Sequence, residues 1–479
     1  MMIPAKLHLE PCQFIIQMRL VGKGGPEIRA TVHPMYLQCL SSLEDEDYAD
    51  LRADASDNAL KAIYNITPVT YQTWAIVGPY MFTGDNHTSL GHETFTVNKN
   101  DTSVIVVSGG AETNISFSKI IKYGYSSNLF QASFFGSNAA VNIANTSTFY
   151  IDHSNITTHN GAANIYAFGT GTTAYVSNSD LYSSGPTAHG LYAAGNATIY
   201  GYNVRHFAGG NRCSSFAGDS PGGYVHVYDS IAHTTGIGSA IFYALGQVYG
   251  TDIVGWAENA PTLFMDGNQL AIFNNADLTA GLLAGTVMFS STVRQSNASL
   301  SFTNSRLTTT GKEMPGLWFG NVIASASLCA TEITTVSGIL VAANYSQVTQ
   351  EFDYFAGYVD NNDLAPAIVT VSVAESTLKG DLVAYNGSSI SWILSNHSSW
   401  TGAAYSGYGA AEFAVSLDKT SVWTLTSDMK VQNFTDEDSS MKNVKSGGFT
   451  LSYNASSVAN KWFKGAMYKL SDGGFVKPM

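Results

Sequence analysis

Short runs of alternating apolar and polar residues recur along most of this chain. Each run closes on Asn, Asp or Ser, then one aliphatic residue, then Gly or small polar residues. The aliphatic falls at Ile156, Leu181, Val204, Ile231, Ile253, Leu278, Leu307 and Ile333, with gaps of 25, 23, 27, 22, 25, 29 and 26 residues. Period two buries one face of a strand. A repeat of this length marks one supersecondary unit stacked on copies of itself. Compare Tyr150-Ile151-Asp152-His153-Ser154-Asn155-Ile156 with Tyr175-Val176-Ser177-Asn178-Ser179-Asp180-Leu181. No amphipathic helix separates the runs, so an α/β alternation is excluded. The pattern predicts an all-β right-handed parallel β-helix solenoid, each turn giving two or three short strands, with the aliphatics forming one internal row. At ~12–15 turns and ~4.8 Å per turn the stack would be roughly 60–70 Å long.

The pattern has limits. Of the first 62 residues 15 are charged, against 44 of the other 417. Residues 1–62 are therefore read as a separate segment, either a cap or sequence outside the mature protein, and 63–479 as the β-helix. Strand signals begin near Asn65, and Val104-Ile105-Val106-Val107 runs into the turn Ser108-Gly109-Gly110. The ladder loses regularity near 345–366, read as a loop inserted in one turn. It resumes as Leu378, Trp400 and Trp423, and the tail reads as strands plus a C-terminal cap.

Composition narrows the partners. Charged residues make up 12% of the chain and the net charge is −13, with no basic stripe. Nucleic acid and anionic membranes need clustered Lys and Arg, so neither is expected as a partner. No run approaches the 18 apolar residues of a membrane span, and the N-terminal run Phe14–Met18 is shorter than a secretory h-region. Cys12, Cys39, Cys213 and Cys329 fit no metal pattern. Cys213 and Cys329 lie several turns apart, too far for a disulfide, and are expected to be buried small hydrophobes.

Phe134-Phe135-Gly136-Ser137-Asn138-Ala139-Ala140-Val141, the turn from Gly222-Gly223-Tyr224-Val225 to Gly236-Ile237, and the repeat Leu378-Lys379-Gly380-Asp381 to Trp400-Thr401-Gly402 resemble the right-handed, pectin-lyase-like β-helix superfamily. They are also similar to passenger domains of autotransporter adhesins. The resemblance spans roughly residues 100–475. It implies a secreted or cell-surface protein, adhesin-like or structural, that engages carbohydrate or a cell-surface ligand without catalysis. The alternative it implies is a polysaccharide lyase or glycoside hydrolase.

Hydrolysis on this fold needs paired carboxylates, one donating a proton while the other activates water. Asp180, Asp252 and Asp277 precede ladder aliphatics, and Asp252 and Asp277 could stack as neighbours about 5 Å apart. Asn178-Ser179-Asp180, Ala188-His189-Gly190 and Arg205-His206 resemble the polygalacturonase motifs, but the doubled acid is missing and the interval is too short. The acids are expected to be turn residues bonded to local backbone, and no catalytic residue is assigned. The scattered His, the missing phosphate loop and the missing nucleophile elbow lead to no metal or cofactor being expected.

Two leads remain. Tyrosines such as Tyr200, Tyr202, Tyr224 and Tyr228 recur on alternating strands, where outward ones could face sugars; inward stacking between turns is the expectation. Twelve sequons open at Asn86, Asn100, Asn114, Asn145, Asn155, Asn196, Asn297, Asn344, Asn386, Asn396, Asn433 and Asn454, besides Asn65, whose sequon is followed by Pro68. That exceeds the chance expectation for this composition and fits either a glycosylated extracellular protein or the Asn-Ser turns common in any β-helix. Thr308-Thr309-Thr310 is too local for an ice-binding ladder.

Overall fold

The computed structural model describes residues 76–479 apart from 125, 127–131, 133–134, 160–162, 186, 220–221 and 346–363. The charged segment 1–62 and nearly all of the loop at 345–366 lie outside the described residues.

The described residues form a parallel β-helix. Thirteen turns each place one short strand on the same sheet, from Tyr80–Thr83 through Val141–Ala144, Ile165–Phe168 and Leu191–Ala194 to Ala404–Ser406. The chain then turns a corner and supplies a second sheet of 21 strands, usually two per turn, such as Thr148–Asp152 and Asn155–Thr158. In the middle of the stack these two fuse into the 11-residue strands Tyr224–Thr234, Gln247–Ala257 and Leu270–Ala280. Neighbouring turns pair in parallel and in register, apart from shifts between Gln295 and Ala298 and between Ile339 and Val341. The exception is Tyr468–Lys469, which runs antiparallel to Phe475–Pro478 in the last sheet, where the short 3₁₀ helix Val458–Phe463 also packs.

The corner inside the second sheet has a simple chemistry. One residue adopts a left-handed conformation: Asn178, Asn203, Asp229, Asp252, Asn275 and Asn304 all have φ of 48° to 58°. Asn and Asp tolerate this region best among residues with a Cβ. The next residue is often a buried Ser. The Ser154 N–H donates to Ser179 Oγ at 3.2 Å, and Ser179 Oγ donates to the Ser177 carbonyl at 2.6 Å. The Ser118 N–H to Ser154 Oγ and the Val204 N–H to Ser230 Oγ repeat this at 3.0 Å, as do Thr331 to Ser376 at 2.9 Å and Ser376 to Ser398 at 3.3 Å. The corner thereby answers backbone donors that strand pairing leaves over.

Register corrects the internal row. Pairing aligns Phe95, Ile120, Ile156, Leu181, His206, Ala232, Gly255, Leu278, Leu307 and Ile333. Three expected members fall elsewhere. Val204 and Ile253 take the serine position at the corner, and Ile231 pairs with Arg205 and is 39% exposed. The reason is volume. Gly255 leaves space that the Ile241 and Leu278 side chains enter, so a small residue holds the row there. His206 stays inside because its Nε2 meets Ser183 Oγ at 2.9 Å. Leu378, Trp400 and Trp423 do stack in register, the two indoles 4.8 Å apart and 13° from parallel.

Cys213 is buried, its Sγ accepting the Ala188 N–H at 3.2 Å, whereas Cys329 is only half-buried, and both are free thiols.

Candidate functional site

Alternation that sends Phe149, Ile151, Ala174 and Val176 inward sends the residues between them outward. Register then fixes the neighbours of each outward residue. Asn114, Tyr150, Tyr175, Tyr200, His226, Tyr249 and Ile272 occupy one column on the second sheet. The five rings stack, with centroids 4.9, 5.2, 5.0 and 4.3 Å apart and planes within 19° of parallel. Two residues along the same strands, Tyr202 and Tyr228 stack at 4.9 Å. The tyrosines therefore do stack between turns, but on the outer surface.

This arrangement decides what the face offers. A sugar ring between two of these rings would need about 7 Å, twice the optimal carbon contact distance. The gaps are too small, so the inner rings present edges and polar rims. Burial, and then the neighbouring phenols Tyr150, Tyr200 and Tyr202, raise the Tyr175 phenol above its ordinary value. It therefore keeps its proton, and the face carries hydroxyl donors. Farther along the column come Ser301, Ser327, Ser372, Ile393, Ser416 and Thr435. A second aromatic column, Tyr182, Phe207, His233 and Trp256, lies on the adjoining strands, but Phe207 and His233 are buried.

The acids singled out from sequence do not converge. Asp180 receives Arg205 on both carboxylate oxygens, at 2.5 and 2.6 Å. His189 is buried against the Tyr192 ring at 4.4 Å, and burial pushes its pKa down to about 4. Asp252 and Asp277 are not stacked neighbours: Asp252 accepts a hydrogen bond from Asn275, while Asp277 pairs with Val254 and lies 3.4 Å from Arg306. The corner residue and the first strand residue are different columns, which the sequence pattern merges. Among the described residues no group of three or more His, Cys, Asp or Glu could hold a metal ion. No described helix is long and apolar enough to cross a membrane.

Nine of the twelve sequon asparagines are exposed, and Asn344, Asn433 and Asn454 are half-buried. Asn86, Asn145, Asn196, Asn344 and Asn386 share one corner of the coil, at or just past the end of a strand of the 13-stranded sheet.

Sequence reasoning missed a cleft near the C-terminal end. It is an open groove of about 290 Å³ lined by Ser416, Leu417, Thr435, Asp436, Glu437 and Trp462. Asp436 accepts from the Asp438 N–H at 2.8 Å and from Asn443 Nδ2 at 3.0 Å, and burial pushes it up to about 6. Pairing across one turn brings Ser416 beside Thr435; that closeness follows from the register and no motif signals it.

Comparison of the chain with protein-family models, with curated proteins and with solved structures gave no match.

Proposed function

We propose that this β-helix is a non-catalytic protein, secreted or displayed at a cell surface, adhesin-like in role, whose outward tyrosine column binds an extended, uncharged polysaccharide. The observation that carries the reading is the row of five stacked rings from Tyr150 to Tyr249 on an outer sheet face. Packing needs within the coil are met by the inward residues, so they do not call for an outward column of this length. A ladder repeating at ~4.8 Å suits a linear polymer of similar repeat lying along it. Phenol rims hydrogen-bond hydroxyls, and fixed rings lose little side-chain entropy on binding. The net charge of −13 disfavours pectin-like polyanions. Exposed sequons support an extracellular setting with N-linked glycans on this chain. The arrangement of Asp180 with Arg205 and the burial of His189 support binding over hydrolysis at that fragment.

Tyr175→Ser combined with Tyr200→Ser tests this on insoluble neutral polysaccharides in co-sedimentation. The wild-type chain is expected in the pellet with at least one β-linked glycan, and the double variant at least tenfold less retained. Equal retention of both, or turnover by the wild-type chain in a lyase and hydrolase panel, would refute it. A gel shift on deglycosylating native material checks the sequons.

A further inference from the structure

The tyrosine face has an end, and the end is a different kind of surface. Ser416 and Thr435 continue the column that runs through Asn114 and Tyr150. They line the cleft of about 290 Å³ with Asp436, Glu437 and Trp462. Trp462 differs from the stacked tyrosines. One side of its indole packs on Phe463 at a centroid distance of 3.7 Å, and Nε1 already donates to the Phe434 carbonyl at 3.2 Å. What it brings to the cleft is apolar ring surface, which suits the C–H face of a sugar.

The rest of the lining complements hydroxyls. Thr435 Oγ1 and Ser416 Oγ hydrogen-bond each other at 2.9 Å, so the pair offers one further hydroxyl donor. Glu437 is exposed, and its carboxylate accepts from any donor that enters. Asp436 takes an inward position, paired with Leu417, and its Oδ2 is buried with no hydrogen-bond partner. At that depth Asp436 acts through its charge, and Glu437, Ser416 and Thr435 are the polar groups that an entering hydroxyl meets. One apolar wall with polar groups beside it, in an open groove of this size, offers contacts to a single ring rather than to an enclosed ligand.

We infer that this cleft is a terminal subsite for a neutral sugar ring, with Trp462 under the ring and Glu437, Ser416 and Thr435 on its hydroxyls. The inference rests on the polysaccharide-binding reading of the tyrosine face and extends it to one end of the polymer. Two carboxylates in the lining exclude a uronic acid there by like-charge repulsion.

The test separates the two. Cellotriose, laminaritriose and triacetylchitotriose are the probes, read on the wild-type chain and on the Tyr175→Ser/Tyr200→Ser variant so that binding at the cleft is separated from binding at the face; trigalacturonic acid is the charged control. Tryptophan fluorescence and calorimetry on the full chain read the binding. At least one neutral trisaccharide is expected to bind, Glu437→Gln to weaken it about tenfold, and Trp462→Phe by about 3- to 10-fold with loss of the fluorescence change. The Tyr175→Ser/Tyr200→Ser variant should leave trisaccharide binding intact while losing the polymer. The assignment falls if no neutral trisaccharide binds at millimolar concentration. It also falls if trigalacturonic acid binds as well, or if Glu437→Gln and Trp462→Phe both bind unchanged. Polymer retention that depends on the tyrosines alone would then leave the face standing without the cleft.

Discussion

Gly402 shows how a single position reports on stacking. The Trp400 Nε1 donates to the Gly380 carbonyl at 2.8 Å, and one turn on, Trp423 Nε1 donates to the Gly402 carbonyl at 3.1 Å. A Cβ at Gly402 would run into the Gly380 carbonyl oxygen and the Trp400 indole nitrogen. Gly402→Ala is therefore expected to destabilise by about 1–3 kcal/mol, the usual cost of overpacking, as measured by denaturant unfolding. Ser179→Ala removes the acceptor of the Ser154 N–H and should cost about 1–3 kcal/mol through an unsatisfied buried donor. Lys122 is a third case. Its Nζ is buried, donating to the Lys99 carbonyl at 3.0 Å and to the Gly124 carbonyl, and burial, opposed by Asp101, pushes its pKa down to about 7 from 10.5. Between those two values the unfolded chain binds more protons than the folded one, so this group makes stability rise with pH there. Below about pH 7 the amine is charged in both states and the burial cost is at its largest. Lys122→Met should flatten the rise between pH 7 and pH 10, as read from unfolding midpoints of the two proteins side by side.

At the scale of the turn, the corner decides which residues the strands can carry. Asn178 has φ 48° and bonds Asp152 Oδ1 at 2.8 Å through its Nδ2. Asn178→Gly should change stability by less than about 1 kcal/mol, since glycine enters this region freely. Asn178→Val should cost about 1–2 kcal/mol or more, because a β-branched side chain clashes there. A thermal melt of the two variants separates a conformational need from a hydrogen-bonding one. The corner also explains the split fate of the acids. Asp252 sits in the left-handed column and Asp277 in the strand column that follows, so two residues that look alike in the sequence face different neighbours.

For the whole molecule, stability is a sum over turns and their nearest neighbours. A lesion should therefore stay local. Gly402→Ala is expected to speed hydrogen exchange in the turns spanning about 380–445 and to leave strands such as Val141–Ala144 and Leu191–Ala194 unchanged, read by exchange mass spectrometry. Uniform acceleration along the stack would contradict that additivity.

The parallel β-helix is legible in the sequence alone, because period two and a period near 25 residues are properties of residue order. The register of Leu378, Trp400 and Trp423 is equally readable, since similar residues flank each one. Register in the middle of the stack is not. Val204 and Ile253 mark the corner and Ile231 points outward, because fit against Ile241 and Ser183 chose Gly255 and His206 for the row. The tyrosine column is half visible, as Tyr150, Tyr175 and Tyr200 recur at 25-residue intervals. That it faces outward follows only from which neighbours fill the coil. The cleft at Trp462 needs the fold outright, since residues 416, 435 and 462 share no motif and meet only through strand pairing and the packing of the last short helix. Periodic order is a local, one-dimensional signal that a chain carries openly. Which side chains converge on a site depends on volumes and distances that exist only once the turns are stacked.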